Sequence, residues 1–123
     1  AKSLLGYEIS ETAVGQARRN AERNNLSKVA RFLVSDLYRP TDHELTKGDY
    51  KMLLDPPRSG AGPELARFAD RAKRVVYVSC NPTTFAEDAA VLDQIGFQLE
   101  SVQVFDMFPH TSHVEVVGSF GRL

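Results

Sequence analysis

Cys80 is the residue whose surroundings point most directly to chemistry. It follows the apolar, strand-length run Val75-Val76-Tyr77-Val78 and precedes Asn81-Pro82, a place where a helix can open. At such a junction the unpaired N–H groups and the dipole of the helix favour a thiolate, the nucleophilic form of cysteine. A lone cysteine is more often inert core filler, so position alone does not assign it a role. The stretch Asn81 to Ala86 contains no arginine, which argues against a cysteine phosphatase loop.

Four carboxylates stand at comparable places. Asp55-Pro56-Pro57 joins an acid to two residues without backbone donors, and so makes a stiff, extended turn able to present an edge to a planar ring. The competing reading is a rigid loop with a satisfied aspartate. Glu115 opens the apolar run Val116-Val117 that continues to Phe120, and desolvation there would strengthen it as a base. Glu8, at the end of a short strand, could accept hydrogen bonds from a ribose diol, or could serve as an acid favoured by the adjoining helix dipole. Asp36 could orient the adenine side of a nucleotide, or be an ordinary polar strand end. His110 and His113 have a spacing seen in metal sites, but no third ligand is near in sequence and Pro109 breaks helical spacing. Packing or hydrogen bonding is expected of both, and no metal.

The elements that must position these groups alternate. Ser3 to Ile9 reads as a strand, followed by a helix capped at Ser10 with Val14, Ala17 and Ala21 on one face and a stop at Asn24-Asn25. Strands are expected over Ala30 to Ser35, Lys51 to Leu54 and Arg74 to Ser79. Pro63 marks a helix opening before an apolar stripe of Leu65, Phe68, Ala69 and Ala72. Thr84 to Glu87 has capping-box spacing ahead of Ala89, Leu92 and Ile95, with Asn81-Pro82 as a competing start and Gly96 as the stop. Two strands, Phe97 to Phe105 and Glu115 to Phe120, close the chain with no helix between them, so they should pair antiparallel.

This pattern predicts an α/β fold, mostly parallel with an antiparallel C-terminal strand, whose layout resembles the Rossmann-like class I methyltransferase fold. Such folds begin with a strand and a glycine-rich cofactor loop, and nothing before Ser3 supplies either. Residues 1–123 are therefore expected to be part of one catalytic domain, with the N-terminal region of the same protein as a missing partner. Strand edges left by the gap would be sticky enough to allow a homodimer. In an open parallel sheet the ligand crevice lies beyond the carboxyl ends of the strands, which gathers Glu8, Asp36, Asp55 and Cys80. In the methyltransferase strand order, the strand ending at Cys80 lies between the one ending at Asp55 and the one starting at Glu115.

Composition narrows the classes. With 123 residues, 42% of them hydrophobic, the chain can bury one core. Its 15 Lys and Arg against 16 Asp and Glu give no bulk positive field, so a nucleic acid would need a local patch or help from outside the chain. A single cysteine excludes an internal disulfide or a four-cysteine cluster and fits a reducing, cytoplasmic setting. No run approaches the roughly 18 to 20 apolar residues of a membrane span, and no signal peptide is visible.

The segments Asp55-Pro56-Pro57-Arg58-Ser59-Gly60, Val76-Tyr77-Val78-Ser79-Cys80-Asn81-Pro82 and Asp106 to Glu115 together resemble the RNA uracil-5-methyltransferase family, which modifies transfer and ribosomal RNA. The resemblance runs through essentially the whole chain. It implies Cys80 as nucleophile, Glu115 as base, Glu8, Asp36 and Asp55 as contacts to cofactor or active site, S-adenosylmethionine as cofactor, and tRNA or rRNA as substrate. It also implies an upstream RNA-binding region, often with an OB-like domain, and in some members an iron–sulfur cluster. None of these is in this sequence, so the chain alone is not expected to be active. The residue types suit the reaction: a thiolate adds to uracil C6 and activates C5 for methylation, and a base then removes the C5 proton. The uridine would have to leave any RNA stack to reach a strand-end crevice, and Phe108 could stack on it. Two rivals are an amino-group methyltransferase, which would use the Asp55 turn but no thiol and normally carries an aromatic residue where Arg58 stands, and a non-enzymatic nucleotide-binding fragment.

Overall fold

The computed structural model of the chain describes residues 2–39, 49–106 and 113–122. Its contacts divide it into two units, Ala1–Thr41 and Asp42–Leu123.

In the first unit, β1 (Leu4–Glu8) leads through α1 (Glu11–Arg23) to β2 (Ala30–Val34), which pairs parallel to β1 from Leu4↔Ala30 to Glu8↔Val34. Ser10 caps α1 as expected, its hydroxyl accepting the Ala13 N–H at 3.2 Å, and Asn24 and Asn25 end it, Asn25 with φ 58°. Val14 and Ala21 supply the buried face. The Arg18 guanidinium lashes the helix to β2 by donating to the Phe32 carbonyl at 2.8 and 3.2 Å.

In the second unit, β3 (Tyr50–Leu54), α2 (Leu65–Ala69), β4 (Ala72–Ser79), α3 (Pro82–Gln94), β5 (Phe97–Phe105) and β6 (Glu115–Arg122) form a sheet of order β3-β4-β6-β5. β3 and β4 are parallel, and β6 runs against both β4 and β5. β4 thus lies between the strand that ends before Asp55 and the strand that begins at Glu115, as in the methyltransferase strand order. The core is Leu65 and Phe68 of α2, Val75 and Tyr77 of β4, Phe85 and Leu92 of α3, Phe97 of β5 and Phe120 of β6, all buried.

Three boundary expectations are corrected. Ala72 is buried, but it is the first residue of β4 and no part of a helical stripe, because α2 is a short helix ending at Ala69. Pro63 precedes α2, whose N-cap is Glu64. Of the two possible starts for α3, Asn81-Pro82 prevails: Asn81 is the N-cap, its side chain accepting the Thr83 N–H at 3.1 Å, and Pro82 sits where its missing N–H costs nothing. Thr84 is then free to bond elsewhere. Gly96, with φ 98°, follows the C-cap of α3 as expected. Among the described residues no helix is long and apolar enough to cross a membrane.

Candidate active site at the carboxyl ends of β3 and β4

Within the second unit, three of the expected residues meet at one rim of the sheet. Asp55 follows Leu54, which ends β3 and pairs with Tyr77 of β4. Cys80 follows Ser79, which ends β4 and pairs with Val116 of β6. Glu115 precedes Val116 and pairs with Phe105 of β5. The β4–β6 pairing ends at Ser79↔Val116, so Cys80 and Glu115 are the residues next beyond that pair.

Burial alternates along both strands. Val75, Tyr77 and Ser79 are buried while Val76, Val78 and Cys80 are half-buried; on β6, Val116 and Gly118 are buried while Glu115 and Val117 are half-buried. Cys80 and Glu115 are thus half-buried like Val76, Val78 and Val117, the less buried residues of the two strands. On that face lies an open cavity of about 420 Å³ lined by Asp55, Val78, Phe105, Glu115 and Val117. Apolar walls with a carboxylate at either side suit a flat, polar-edged ring. Cys80 is the free cysteine of this unit and is not walled into the interior.

The presentation of Cys80 is fixed from behind. The Ser79 hydroxyl accepts the Asn81 N–H at 3.0 Å and donates to the Asn81 carbonyl at 2.9 Å, spanning the cysteine on both sides. The turn after Asp55 is fixed against the same helix start. Asn81 Nδ2 and Thr84 Oγ1 both donate to the Arg58 carbonyl at 3.1 Å. The Gly60 N–H closes the turn on the Pro57 carbonyl at 2.9 Å, and the Ala61 N–H donates to Asp88 Oδ2 at 2.8 Å. Gly60 has φ 93°, and a Cβ there would stand 2.9 Å from Asp88 Oδ2, so the position requires glycine on both counts.

The other two expected residues lie in the first unit. Glu8 ends β1, and its carbonyl accepts the Ser35 N–H at 2.8 Å, so Glu8, Ser35 and Asp36 share the carboxyl rim of the β1–β2 pair. The Asp36 carboxylate accepts the Tyr38 N–H at 3.0 Å and pairs with Arg39 Nε at 3.4 Å. Ser35 Oγ beside it is buried and has no hydrogen-bond partner among the described residues. Phe108 and His110 lie outside the described residues, and His113 is exposed.

Residues 1–120 match the tRNA (Uracil-5-)-methyltransferase family. The chain belongs to this family. It is 45% identical over 124 residues to the 23S rRNA (uracil(1939)-C(5))-methyltransferase RlmD of Acinetobacter baumannii (strain AB0057), covering 98% of this chain and 26% of that protein. It is 46% identical over 130 residues to RlmD of Hahella chejuensis, covering 99% of this chain and 29% of that protein. The chain thus spans little more than a quarter of the length of these relatives. Magnesium protoporphyrin IX methyltransferase from Synechocystis PCC 6803, solved with bound S-adenosylhomocysteine, superposes with a TM-score of 0.68 at 15% identity, covering 98% of this chain and 64% of that one. At that identity the likeness shows fold alone, the α/β Rossmann-like methyltransferase fold that the strand pattern predicts.

Asp88, Tyr77, Thr84 and Phe105 were not singled out by sequence reasoning as parts of the site. A signal was available for one pair: Thr84 and Asp88, four residues apart, share one face of α3, and that face meets the turn after Asp55.

Proposed function

We propose that the protein to which this chain belongs methylates C5 of a uridine in RNA, with Cys80 as nucleophile and Glu115 as base. The observation that supports the reading is the Ser79↔Val116 pair: Cys80 follows its β4 member, and Glu115, which lines the cavity together with Asp55, precedes its β6 member. Membership of the uracil-5-methyltransferase family and the relatives that act on 23S rRNA support the substrate class, here rRNA or tRNA.

The residues divide the work as follows. The Cys80 thiolate forms a bond to C6, and the electron pair of the C5=C6 bond moves toward C5 and the O4 enolate. When bound, S-adenosylmethionine supplies the electrophilic methyl group that the activated C5 takes up. Glu115 accepts the C5 proton, and the electron pair left behind restores C5=C6 and expels the Cys80 thiolate. Asp55, at the opposite flank of the cavity, holds the polar edge of the ring or the methyl donor. Glu8 and Asp36 are the proposed contacts to ribose and adenine, and the buried hydroxyl of Ser35 beside Asp36, without a hydrogen-bond partner among the described residues, fits a rim that takes a polar ligand. A cytoplasmic setting accords with a reactive thiol.

The test is a covalent complex between the full-length protein and RNA containing 5-fluorouridine. Fluorine cannot leave as a proton, so the intermediate should accumulate, with its mass on the peptide containing Cys80. An adduct on another residue, or none while methyl transfer proceeds, would overturn the assignment.

A further inference from the structure

Asp88 stands on α3, outside the cavity, yet one of its oxygens holds two groups of different elements. Oδ2 accepts the Ala61 N–H at 2.8 Å from the turn that follows Asp55, and it accepts the hydroxyl of Tyr77, a fully buried residue of β4. The same turn is gripped a second time at the Arg58 carbonyl by Asn81 and Thr84, from the first turn of the same helix. Pro56 and Pro57, between Asp55 and the first of these grips, have no backbone N–H to donate, so the grips at Arg58 and Ala61 help to place the turn. The strand pairing fixes Asp55 only from the side of β3, and the helix start fixes Cys80.

We propose that Asp88 is a positioning residue for this active site: it clamps the Pro56–Ala61 turn to α3 and thereby sets the distance between Asp55 and Cys80. It touches neither substrate nor cofactor. It acts through the Ala61 N–H, and Tyr77 orients its carboxylate from beneath. Its charge is incidental to the clamp, because what the Ala61 and Tyr77 donors need is an oxygen at that point, which an asparagine can also place there. An error of about 1 Å in the turn would cost on the order of a hundredfold in turnover for a reaction that depends on alignment.

The proposal rests on the uridine reading for its activity readout but not for its structural one. In the full-length protein, amide hydrogen exchange of the segment Pro56–Ala61 is compared among wild type, Asp88→Ala, Asp88→Asn, Tyr77→Phe and Thr84→Val, alongside kcat and KM for methyl transfer to RNA. Asp88→Ala should speed exchange in that segment by about tenfold or more, leave exchange of β4 unchanged, and lower kcat by on the order of ten- to a hundredfold with little change in KM. Asp88→Asn should restore both, and its pH profile should match that of wild type. Tyr77→Phe, which keeps the Ala61 bond but removes the hydroxyl that orients Asp88, should show the same loosening and loss at smaller size than Asp88→Ala. Should Asp88→Ala fail to fold, Thr84→Val removes one hydroxyl from the second grip and should show the same paired loosening and loss at smaller size. Looser exchange with unchanged kcat would overturn the positioning role, and so would unaltered exchange in Asp88→Ala, or a failure of Asp88→Asn to rescue. If wild type itself transfers no methyl to uridine, the uridine reading fails, and the exchange comparison alone decides whether the clamp exists.

Discussion

Ser79 and Val116 are the last paired residues of β4 and β6 at the site end of the sheet, and the two groups that extend the pair are a thiol and a carboxylate. The paired strands place Glu115, and the end of β4 together with the Ser79–Asn81 hydrogen bonds places Cys80. Replacing Cys80 with alanine removes about one sulfur atom from a half-buried position and should leave the fold intact. Methyl transfer to RNA by the full-length protein should fall by roughly three orders of magnitude or more, as expected when a covalent nucleophile is lost. An amino-group methyltransferase would keep most of its activity, so a near-normal rate in Cys80→Ala would exclude the uridine mechanism.

In the proposed mechanism, Glu115→Gln separates the two halves of the reaction. The thiol can still add and C5 can still be methylated, but the proton that must leave has no acceptor. Turnover should drop by about a hundredfold or more, and a denaturant-resistant protein–RNA complex should accumulate on ordinary uridine, visible as a retarded band. A slow variant with no such complex would mean that Glu115 acts before the adduct forms.

Much of this was legible in the sequence, for identifiable reasons. Strand ends are marked by a change from apolar runs to polar residues, Glu8 and Asp36 in the first unit and Asp55 and Cys80 in the second, and alternation with helices points to the parallel pairs β1–β2 and β3–β4. The lack of a helical sequence pattern between Phe105 and Glu115 points to an antiparallel close, and β5 and β6 do pair antiparallel. What stayed hidden depends on contacts distant in sequence. Nothing local in Asp88 tells that its partners are Ala61 and Tyr77, and nothing in Ala72 tells that α2 stops three residues earlier. The choice between Asn81 and Thr84 as helix start was open because both have capping chemistry. The Arg58 carbonyl, which draws on both side chains, is one tie that sequence spacing does not reveal.

Gly118 of β6 lies under Phe85, the residue by which α3 packs on the sheet. A Cβ at 118 would stand 2.5 Å from Phe85 Cζ and 2.7 Å from Cε2, and the ring is held edge-on to Tyr77 at 5.4 Å between centroids. Either the ring or the strand must shift to admit the methyl group. Gly118→Ala should therefore cost about 1–3 kcal/mol, read as a lower denaturation midpoint with an unchanged slope. Gly118→Ala combined with Phe85→Leu should recover part of that loss. A neutral Gly118→Ala would show that Phe85 is loosely held.

Ser35→Ala tests the rim of the first unit. A buried hydroxyl without a partner costs about 1–3 kcal/mol, so its removal should stabilise the ligand-free protein. If the hydroxyl is satisfied by cofactor, S-adenosylhomocysteine should bind the variant several-fold more weakly, by calorimetry on the full-length protein. A variant both more stable and equally tight in binding would remove Ser35 from the cofactor site.

At the end of the sheet away from the site, Arg122 ties four carbonyls together. Its guanidinium donates to Ala72 at 2.9 Å, Ile95 at 2.7 Å, Ala69 at 3.3 Å and Asp70, while its Cζ lies 3.8 Å from the centroid of the buried Phe97 ring. Ala69, Asp70 and Ile95 are at or beside the C-termini of α2 and α3, where unpaired carbonyls and the negative ends of the helix dipoles favour a cation. The planar fork reaches several acceptors at once and stacks on the ring, which an ammonium group cannot do. Arg122→Ala should cost about 2 kcal/mol or more, and Arg122→Lys should recover less than half of it, both measured by denaturant unfolding of the full-length protein. Because this clamp is remote from Cys80 and Glu115, kcat well below the melting temperature should stay within about twofold of wild type, since distant sites contribute independently. Equal stability of the lysine and arginine proteins would show that a point charge suffices and that the fork geometry is incidental.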